Sequence, residues 1–207
     1  MDGSRAFTDH VYSGIPAMDM RGVSGCVPCA IGDISAAYVN PCGGVRWRTL
    51  TDGRIQLEDG SIPSYSVASP QFEMLARTWL NWGAEFSAAS KRLGVPAAWI
   101  LAIATMETGA WANNKEKQRT IGSFDGSIGI MQPLALVANM YGYTSDDRYD
   151  AVKNIDMSTK LLRANAQTKN GAYGFPVVAA MFNGGQGNGG CNTGNDKFNL
   201  KGYVKPG

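Results

Sequence analysis

Three short segments each place a carboxylic acid or a carboxamide directly after apolar residues and close to a glycine. They are Met106-Glu107-Thr108-Gly109, Gly129-Ile130-Met131-Gln132 and Met181-Phe182-Asn183-Gly184-Gly185. An apolar wall disfavours ionisation, so a carboxyl group at the end of a buried helix keeps its proton near neutral pH and acts as a general acid. The carboxamides of Gln132 and Asn183 both donate and accept hydrogen bonds, which suits the substituents of a sugar. Together the three segments predict cleavage of a glycosidic bond.

The segment from Ser123 to Gln132 follows the pattern Ser-x-x-Gly-x-x-Gly-x-Met-Gln. This pattern resembles the signature of the soluble lytic transglycosylases, a family with a goose-type-lysozyme-like fold. The segment around Glu107 is similar to the family's Glu-Ser/Thr motif, and the segment around Asn183 is similar to its Ala-Tyr-Asn-x-Gly motif, with Phe182 in place of the tyrosine. Tyr203-Val204 resembles the Tyr-Val pair near the end of the family's catalytic domain.

The resemblance implies cleavage of the β-1,4 bond between N-acetylmuramic acid and N-acetylglucosamine in peptidoglycan. Glu107 would protonate the glycosidic oxygen, and the same carboxylate would then take the proton from the C6 hydroxyl of the muramic acid. That hydroxyl attacks C1 and closes a 1,6-anhydro ring, so no water is consumed. This chemistry requires no metal ion and no organic cofactor.

The resemblance, together with side-chain chemistry, also gives a set of expected substrate-binding residues: Thr108, Ser127, Gly129, Met131, Gln132, Phe182, Asn183 and Tyr203. Thr108 is expected either to fix the backbone or to contact the substrate beside the acid. Gly129 would let its turn approach the sugar closely. Met131 would form an apolar floor or fill the core. Tyr203 would orient Glu107 through a hydrogen bond.

Asp125 is the nearest candidate for a second carboxylate, and ordinary glycosidases use two. Its other interpretation is a turn residue in Asp125-Gly126. If Asp125 positions a water molecule, the protein would be a goose-type lysozyme that hydrolyses the same bond. A further alternative is a catalytically inactive structural virion protein that keeps the fold.

The elements that position these residues are predicted to be helices from residue 69 onward. Ser69 is a plausible N-cap with Pro70 at the first helical position, and Gly94 ends this helix. Its apolar face is predicted to contain Phe72, Leu75, Ala76, Trp79 and Leu80. The stretch from Ala97 to Glu107 is apolar on nearly all sides, which predicts a central buried helix. Further helices are predicted after Pro133, from Asp147 or Asp150 to about Lys169, and from Val177 to Phe182.

Residues 1–68 are rich in Gly, Pro and Ser and show no helical periodicity. Within them, residues 44–50 and 54–58 alternate apolar and polar side chains around a Thr51-Asp52-Gly53 turn, which predicts a β-hairpin. The predicted fold class is therefore mainly α: a lysozyme-like helical catalytic domain, residues 69–207, preceded by a small irregular and β segment. Residues 1–68 are either a docking arm for virion or secretion-complex subunits or a small β appendage.

The composition is that of a chain with one full core, since 44% of the 207 residues are hydrophobic and 17% are charged. A formal net charge of +2 is too weak to predict a nucleic-acid partner. No stretch is long enough to span a bilayer, and the first residues do not resemble a signal peptide. We therefore expect action in the periplasm or cell wall after delivery with a bacteriophage particle; a mature exported chain is the alternative.

The sequence contains four cysteines: Cys26, Cys29, Cys42 and Cys191. Disulfides or free thiols are expected, because a metal site would need a fourth ligand close to the first three in the sequence, for which His10 is the candidate. The sequence leaves their pairing open.

Overall fold

The computed structural model of the protein describes residues 37–40, 45–49, 55–62 and 70–186. The predictions on the four cysteines, His10 and Tyr203 lie outside these residues. The described residues fall into two compact units. The first unit contains residues 70–160, and the second contains the described residues between 37 and 62 together with 161–186. The division of the chain after residue 68 stays a prediction.

The described residues form a short antiparallel hairpin followed by helices. The strands are β1 (Trp47–Thr49) and β2 (Ile55–Leu57). The α-helices are α1 (Pro70–Leu93), α2 (Ala97–Ala104), α3 (Lys115–Thr120), α4 (Ala135–Met140), α5 (Ala151–Ala166) and α6 (Phe175–Gly184). A π-helical turn, Thr105–Gly109, continues α2, and 3-10 turns occupy Asp146–Tyr149 and Gly171–Tyr173. The predicted mainly α class with a small β segment near the N-terminus is confirmed, whereas α3 was not predicted.

Helix α1 begins at Pro70 as predicted, and Gly94, at a φ of +69°, follows its last residue. Such a left-handed glycine is a common helix terminator. The prediction that Leu80 belongs to the buried face is wrong, because this side chain is 58% exposed. The buried face passes instead through Trp82 and Phe86. Leu80 projects roughly a third of a turn away from the centre of that face.

Helix α2 is the buried helix that the apolar stretch predicted. Ile100, Leu101 and Ile103 are almost completely removed from solvent. A helix buried on several sides gains its stability from packing, and each such side chain contributes about 1.5–3 kcal/mol by leaving water. The helix does not continue as an α-helix to Glu107, since it widens into the π turn after Ala104.

The hairpin is anchored within the second unit by Trp47. Its side chain is fully buried, and the indole Nε1 donates a hydrogen bond to the carbonyl of Tyr173 over 3.2 Å. In the hairpin, Trp47 is paired with Leu57, which is also buried. At least this part of the N-terminal segment is therefore packed against the C-terminal part of its own chain.

Within the described residues, no helix combines the length and the apolar character that crossing a membrane requires. The same residues contain no group of three or more His, Cys, Asp or Glu side chains that could hold a metal ion.

Candidate functional site

Glu107 lies at the centre of the π turn, and its side chain is half-buried. Single π-helical turns inside or after α-helices occur frequently at functional sites. The turn is packed closely against α1: a Cβ added at Gly109 would lie 2.7 Å from Thr78 Oγ1. The carbonyl of Gly109 also accepts a hydrogen bond from Arg77 Nη2 over 3.0 Å. The backbone that carries Glu107 is therefore fixed from the side of α1.

Thr108 fixes the same turn from a second side. Its side chain is fully buried, and Oγ1 donates a hydrogen bond to the carbonyl of Ile130 over 2.9 Å. The carbonyl of Ala104, at 3.2 Å, is a second acceptor for the same hydroxyl. Of the two roles expected for Thr108, this geometry is that of a residue that fixes the backbone.

Residues 122–133, here called the signature loop, begin with a tight hairpin. Gly122 and Ile128 form an antiparallel bridge, and the Ser123 amide donates to the carbonyl of Ser127 over 2.9 Å. Gly126, at a φ of +82°, closes the turn by donating its amide hydrogen to the carbonyl of Ser123. Glycine suits this position because L-residues with a side chain avoid such a φ.

Asp125 has the contacts of a turn residue. Its Oδ1 accepts hydrogen bonds from the Ser123 hydroxyl and, over 3.0 Å, from the Ser127 amide. The Ser123 hydrogen bond, followed by that of the Ser127 amide, holds the pKa of the Asp125 carboxyl below its ordinary value. The group is therefore ionised at neutral pH and engaged in shaping the turn, which favours the turn interpretation of Asp125.

Gln132 uses its carboxamide within the signature loop. Nε2 donates to the carbonyls of Gly129 and Ile121 over 2.7 and 3.0 Å, and Oε1 accepts from the hydroxyl of the buried Ser127 over 2.8 Å. Gln132 is also the one non-glycine residue with a positive φ, +50°, in the described part of the chain. Strained backbone of this kind concentrates at functional sites and is held there by its surroundings. Both amide protons of Gln132 thus organise the loop.

Gly129 and Met131 face the protein interior. Gly129 has a φ of +81°, and an added Cβ would lie 2.4 Å from Asn154 Nδ2 and 2.8 Å from the carbonyl of Arg148. The glycine is thus required for close packing within the protein, a reason that differs from the expected approach to a sugar. Met131 is fully buried, and its amide donates to Asn154 Oδ1 over 3.0 Å.

Two residues that the sequence did not single out hold this loop. Asn154, on α5, and Arg148, just before it, are only 1% and 6% exposed. Both contact the signature loop through hydrogen bonds. They belong to a polar stretch in which such side chains ordinarily face solvent, so no sequence signal distinguishes them.

The structure also exposes large apolar side chains whose exposure the sequence did not predict. Trp111, four residues after Glu107, is 70% exposed, and Phe124, at the tip of the signature loop, is completely exposed. Met106, directly before the acid, is 49% exposed. Tryptophan is highly buried on average, so an exposed one four residues from a candidate acid is a candidate contact for a ligand.

Phe182 and Asn183 lie in the last turn of α6, in the second unit. Phe182 is half-buried and Asn183 is exposed. Gly185, at a φ of +79°, ends the helix, and Gln186 Nε2 then donates to Asn165 Oδ1 over 3.0 Å. The helix therefore stops at the predicted asparagine-glycine pair and presents Asn183 to solvent.

The structure thus gathers five of the predicted site residues in one unit with Glu107: Thr108, Ser127, Gly129, Met131 and Gln132. Hydrogen bonds of Thr108 and Asn154 connect this set, with the π turn on one side and α5 on the other. Such an arrangement holds the backbone that carries Glu107 next to the signature loop.

A family model described as "Transglycosylase SLT domain" matches residues 85–202, more than half of the chain. The matched range includes Glu107, the signature loop and Asn183, and it ends one residue before Tyr203. Comparisons with curated proteins and with solved structures gave no match. The family match confirms the resemblance carried by the motifs and, with it, the predicted lysozyme-like helical domain.

Proposed function

The chain belongs to the transglycosylase SLT family, and we propose that it cleaves peptidoglycan by a lytic mechanism with Glu107 as its single acid and base. The bond cleaved is the β-1,4 bond between N-acetylmuramic acid and N-acetylglucosamine. Glu107 gives its proton to the glycosidic oxygen, and the C–O bond breaks through an oxocarbenium-like state. The carboxylate then removes the proton of the muramic acid C6 hydroxyl, which attacks C1 and forms the 1,6-anhydro product.

The observation that carries this proposal is the connection between Glu107's turn and the signature loop. Thr108 Oγ1 donates to the carbonyl of Ile130, so the residue next to the acid is bonded to the loop that carries the family signature. A general acid must stay within hydrogen-bond reach of the leaving oxygen, and a fixed backbone provides that. The half-buried side chain of Glu107 suits a group that exchanges a proton with a bound substrate.

A mechanism with one carboxyl group is favoured over one with two. Within the π turn and the signature loop, the acidic residues are Glu107 and Asp125. Asp125 accepts hydrogen bonds from its own turn, and its pKa is lowered, with the Ser123 hydrogen bond as the main cause. Hydrolysis by a goose-type lysozyme is therefore the second candidate, and it requires a positioned water in place of the C6 hydroxyl.

We assign the binding residues to two layers. Thr108, Ser127, Gly129 and Met131 are buried and support the loop from within, together with the carboxamide of Gln132. In the first unit, the exposed side chains of Trp111 and Phe124 are proposed to contact the glycan. Asn183, exposed in the second unit, stays proposed as a substrate-binding residue. The carboxamide of Asn183 suits an acetamido group, and the aromatic rings suit the apolar faces of sugar rings. Phe182 and Tyr203 stay proposed as substrate-binding residues.

Delivery to the cell wall with a bacteriophage particle is also a proposal, with residues 1–68 as the docking arm. Trp47 packs the hairpin within the second unit, so a deletion that tests docking should spare it. Removing residues 1–36 is expected to abolish incorporation into particles while peptidoglycan cleavage continues. Normal incorporation of the shortened chain would refute a docking role for residues 1–36.

The function is tested with Glu107→Gln, assayed by release of soluble muropeptides from purified peptidoglycan. Because general acid-base catalysis contributes on the order of 10²–10⁴-fold, we expect a loss of that size with an unchanged melting temperature. Glu85→Gln is the matched control: this partly buried carboxylate on α1 pairs with Lys115 at 3.4 Å and is expected to be dispensable. Cleavage by Glu107→Gln at the wild-type rate would remove the acid assignment, and an inactive wild-type protein would favour the structural alternative.

A further inference from the structure

We propose that Arg148 and Asn154 are positioning residues that set the catalytic rate by clamping the signature loop against α5. The inference rests on the proposed function, because it concerns where the Glu107 carboxyl stands when the bond breaks. Neither side chain has a role in the family motifs described above, and neither is expected to touch the glycan, since both are more than nine-tenths buried.

Asn154 uses its whole carboxamide in this clamp. Oδ1 accepts from the Met131 amide over 3.0 Å, and Nδ2 donates to the carbonyls of Ile128 and Arg148 over 2.9 and 2.7 Å. The bonds to Ile128 and Met131 lie on either side of Ile130 in the sequence. A buried amide with every proton used fixes its partners in one arrangement, because leaving any of these groups unpaired costs about 1–3 kcal/mol.

Arg148 contacts the same loop at its hairpin turn and at its last residue. Nη1 donates to the carbonyls of Gly126 and Pro133 over 2.7 and 3.4 Å. Nε and Nη2 donate to the carbonyl and the hydroxyl of Ser145, which orients the guanidinium. The planar arrangement of donors in arginine suits this simultaneous contact with several acceptors, whereas lysine offers a single point of charge.

The clamp is connected to the backbone next to Glu107 through the hydrogen bond of Thr108. Asn154 fixes the backbone on both sides of Ile130, and the Ile130 carbonyl is the acceptor of the Thr108 hydroxyl. The packing around Gly129 has no room for a side chain, because an added Cβ would lie 2.4 Å from Asn154 Nδ2. A shift of the loop therefore displaces the acceptor that holds the residue next to Glu107.

This placement predicts an effect on kcat rather than on KM. The clamp acts on the position of the proton donor, and misplacement by about 1 Å can cost on the order of 10²-fold in rate. Substrate affinity is expected to depend mainly on exposed groups, of which Trp111 and Asn183 lie outside the clamped loop. Loss of the clamp should therefore lower kcat at least about tenfold and leave KM within about twofold.

The test uses Asn154→Asp, which keeps the acceptor for Met131 and loses both donors. Arg148→Lys is the second variant, because it keeps the charge and loses the simultaneous contact with Gly126 and Pro133. Asn165→Asp is the matched control: it is also a fully buried asparagine on α5, roughly three turns further along, and its Oδ1 accepts a hydrogen bond from Gln186. Kinetic constants are measured on soluble glycan fragments at a temperature at which melting curves show every variant to be folded.

The expected result is a low kcat with a near-normal KM for Asn154→Asp and Arg148→Lys, and normal constants for Asn165→Asp. Hydrogen exchange supplies a readout that does not depend on activity: the Met131 amide should be protected in the wild type and exchange fast in Asn154→Leu, which removes its acceptor. Wild-type kcat in both folded clamp variants, an equal loss in Asn165→Asp, or an unchanged Met131 exchange rate would overturn the inference. A wild-type protein that forms no anhydro product would instead overturn the proposed function.

Discussion

The hydroxyl of Thr108 donates to the carbonyl of Ile130 over 2.9 Å, although the two residues are 22 positions apart in the sequence. This hydrogen bond joins the π turn that carries Glu107 to the signature loop. Two motifs that are separate in the sequence are thereby joined in the structure. The backbone next to Glu107 is therefore held by the loop as well as by α2.

Replacing Thr108 with valine keeps the shape of the side chain and removes the hydroxyl. Because the buried carbonyl of Ile130 then loses its donor, we expect a stability loss of about 1–3 kcal/mol. We also expect a kcat reduced about tenfold through misplacement of the acid. Thr108→Ser restores the donor and should recover most of the rate. Kinetics on glycan fragments and thermal melts check this; a fully active Thr108→Val would contradict the role given to the hydrogen bond.

Gly129 and Gly126 form a matched pair for testing the loop. Both have a φ near +80°, but an added Cβ meets nothing within 4 Å at Gly126 and meets Asn154 at 2.4 Å at Gly129. Gly126→Ala should therefore lower the free energy of unfolding by about 1–2 kcal/mol, through the left-handed backbone alone. Gly129→Ala should lower it by about 1–3 kcal/mol more, because the packed neighbours must move. Denaturant unfolding measures both, and equal losses would show that the close packing at Gly129 is unimportant.

The contacts of Asp156 predict that the free energy of unfolding falls at acidic pH. Its carboxylate accepts hydrogen bonds from three side chains: Lys160, Tyr143 and Arg92. Burial alone would raise the pKa of this carboxyl, but the three hydrogen bonds outweigh burial and hold the pKa below its ordinary 3.8. A depressed folded-state pKa stabilises the protein above pH 3.8, and this contribution disappears as the pH falls through the folded-state pKa.

We therefore expect Asp156→Asn to lower the free energy of unfolding by about 1–3 kcal/mol at neutral pH. This is less than the loss for a fully buried ion pair, because Arg92 is half exposed. Below pH 3.8 the difference between variant and wild type should shrink, because the wild-type carboxyl becomes protonated as well. Urea unfolding at a series of pH values measures this difference. A constant difference between pH 2 and pH 7 would be incompatible with the assigned shift.

A substitution of Trp111 tests the exposed part of the proposed binding surface. Trp111→Ala removes a side chain that is 70% exposed, so the fold should keep its melting temperature. Loss of one aromatic contact with a sugar ring should raise KM several-fold and leave kcat nearly unchanged. Leu80→Ala is the control, because Leu80 is 58% exposed on α1 and has no proposed contact with the glycan. If the two variants have the same KM, Trp111 does not bind substrate.

Much of the helical framework could be predicted from local sequence. Gly94 and Pro96 mark the boundary between α1 and α2, and the apolar stretch after Pro96 predicts its own burial. The alternation around Trp47 likewise predicted the hairpin. These features depend on backbone preferences and on periodicity, which neighbouring residues determine.

The fine geometry of the site could not be predicted in this way. The π turn at Glu107 depends on Gly109 approaching α1 and on the bond from Thr108 to Ile130. Likewise, Arg148 and Asn154 are buried where they form hydrogen bonds with the signature loop. These are contacts between residues distant in the sequence, and no local preference encodes them.

Glu107 is proposed to cleave the glycan without consuming water. This is tested by digesting peptidoglycan in water enriched in the heavy oxygen isotope and analysing the muropeptides by mass spectrometry. We expect 1,6-anhydro products that lack one water and carry no label, and we expect Glu107→Gln to form almost none of them. Reducing muramic acid ends that carry the heavy isotope would contradict the lytic mechanism and would identify the protein as a hydrolase.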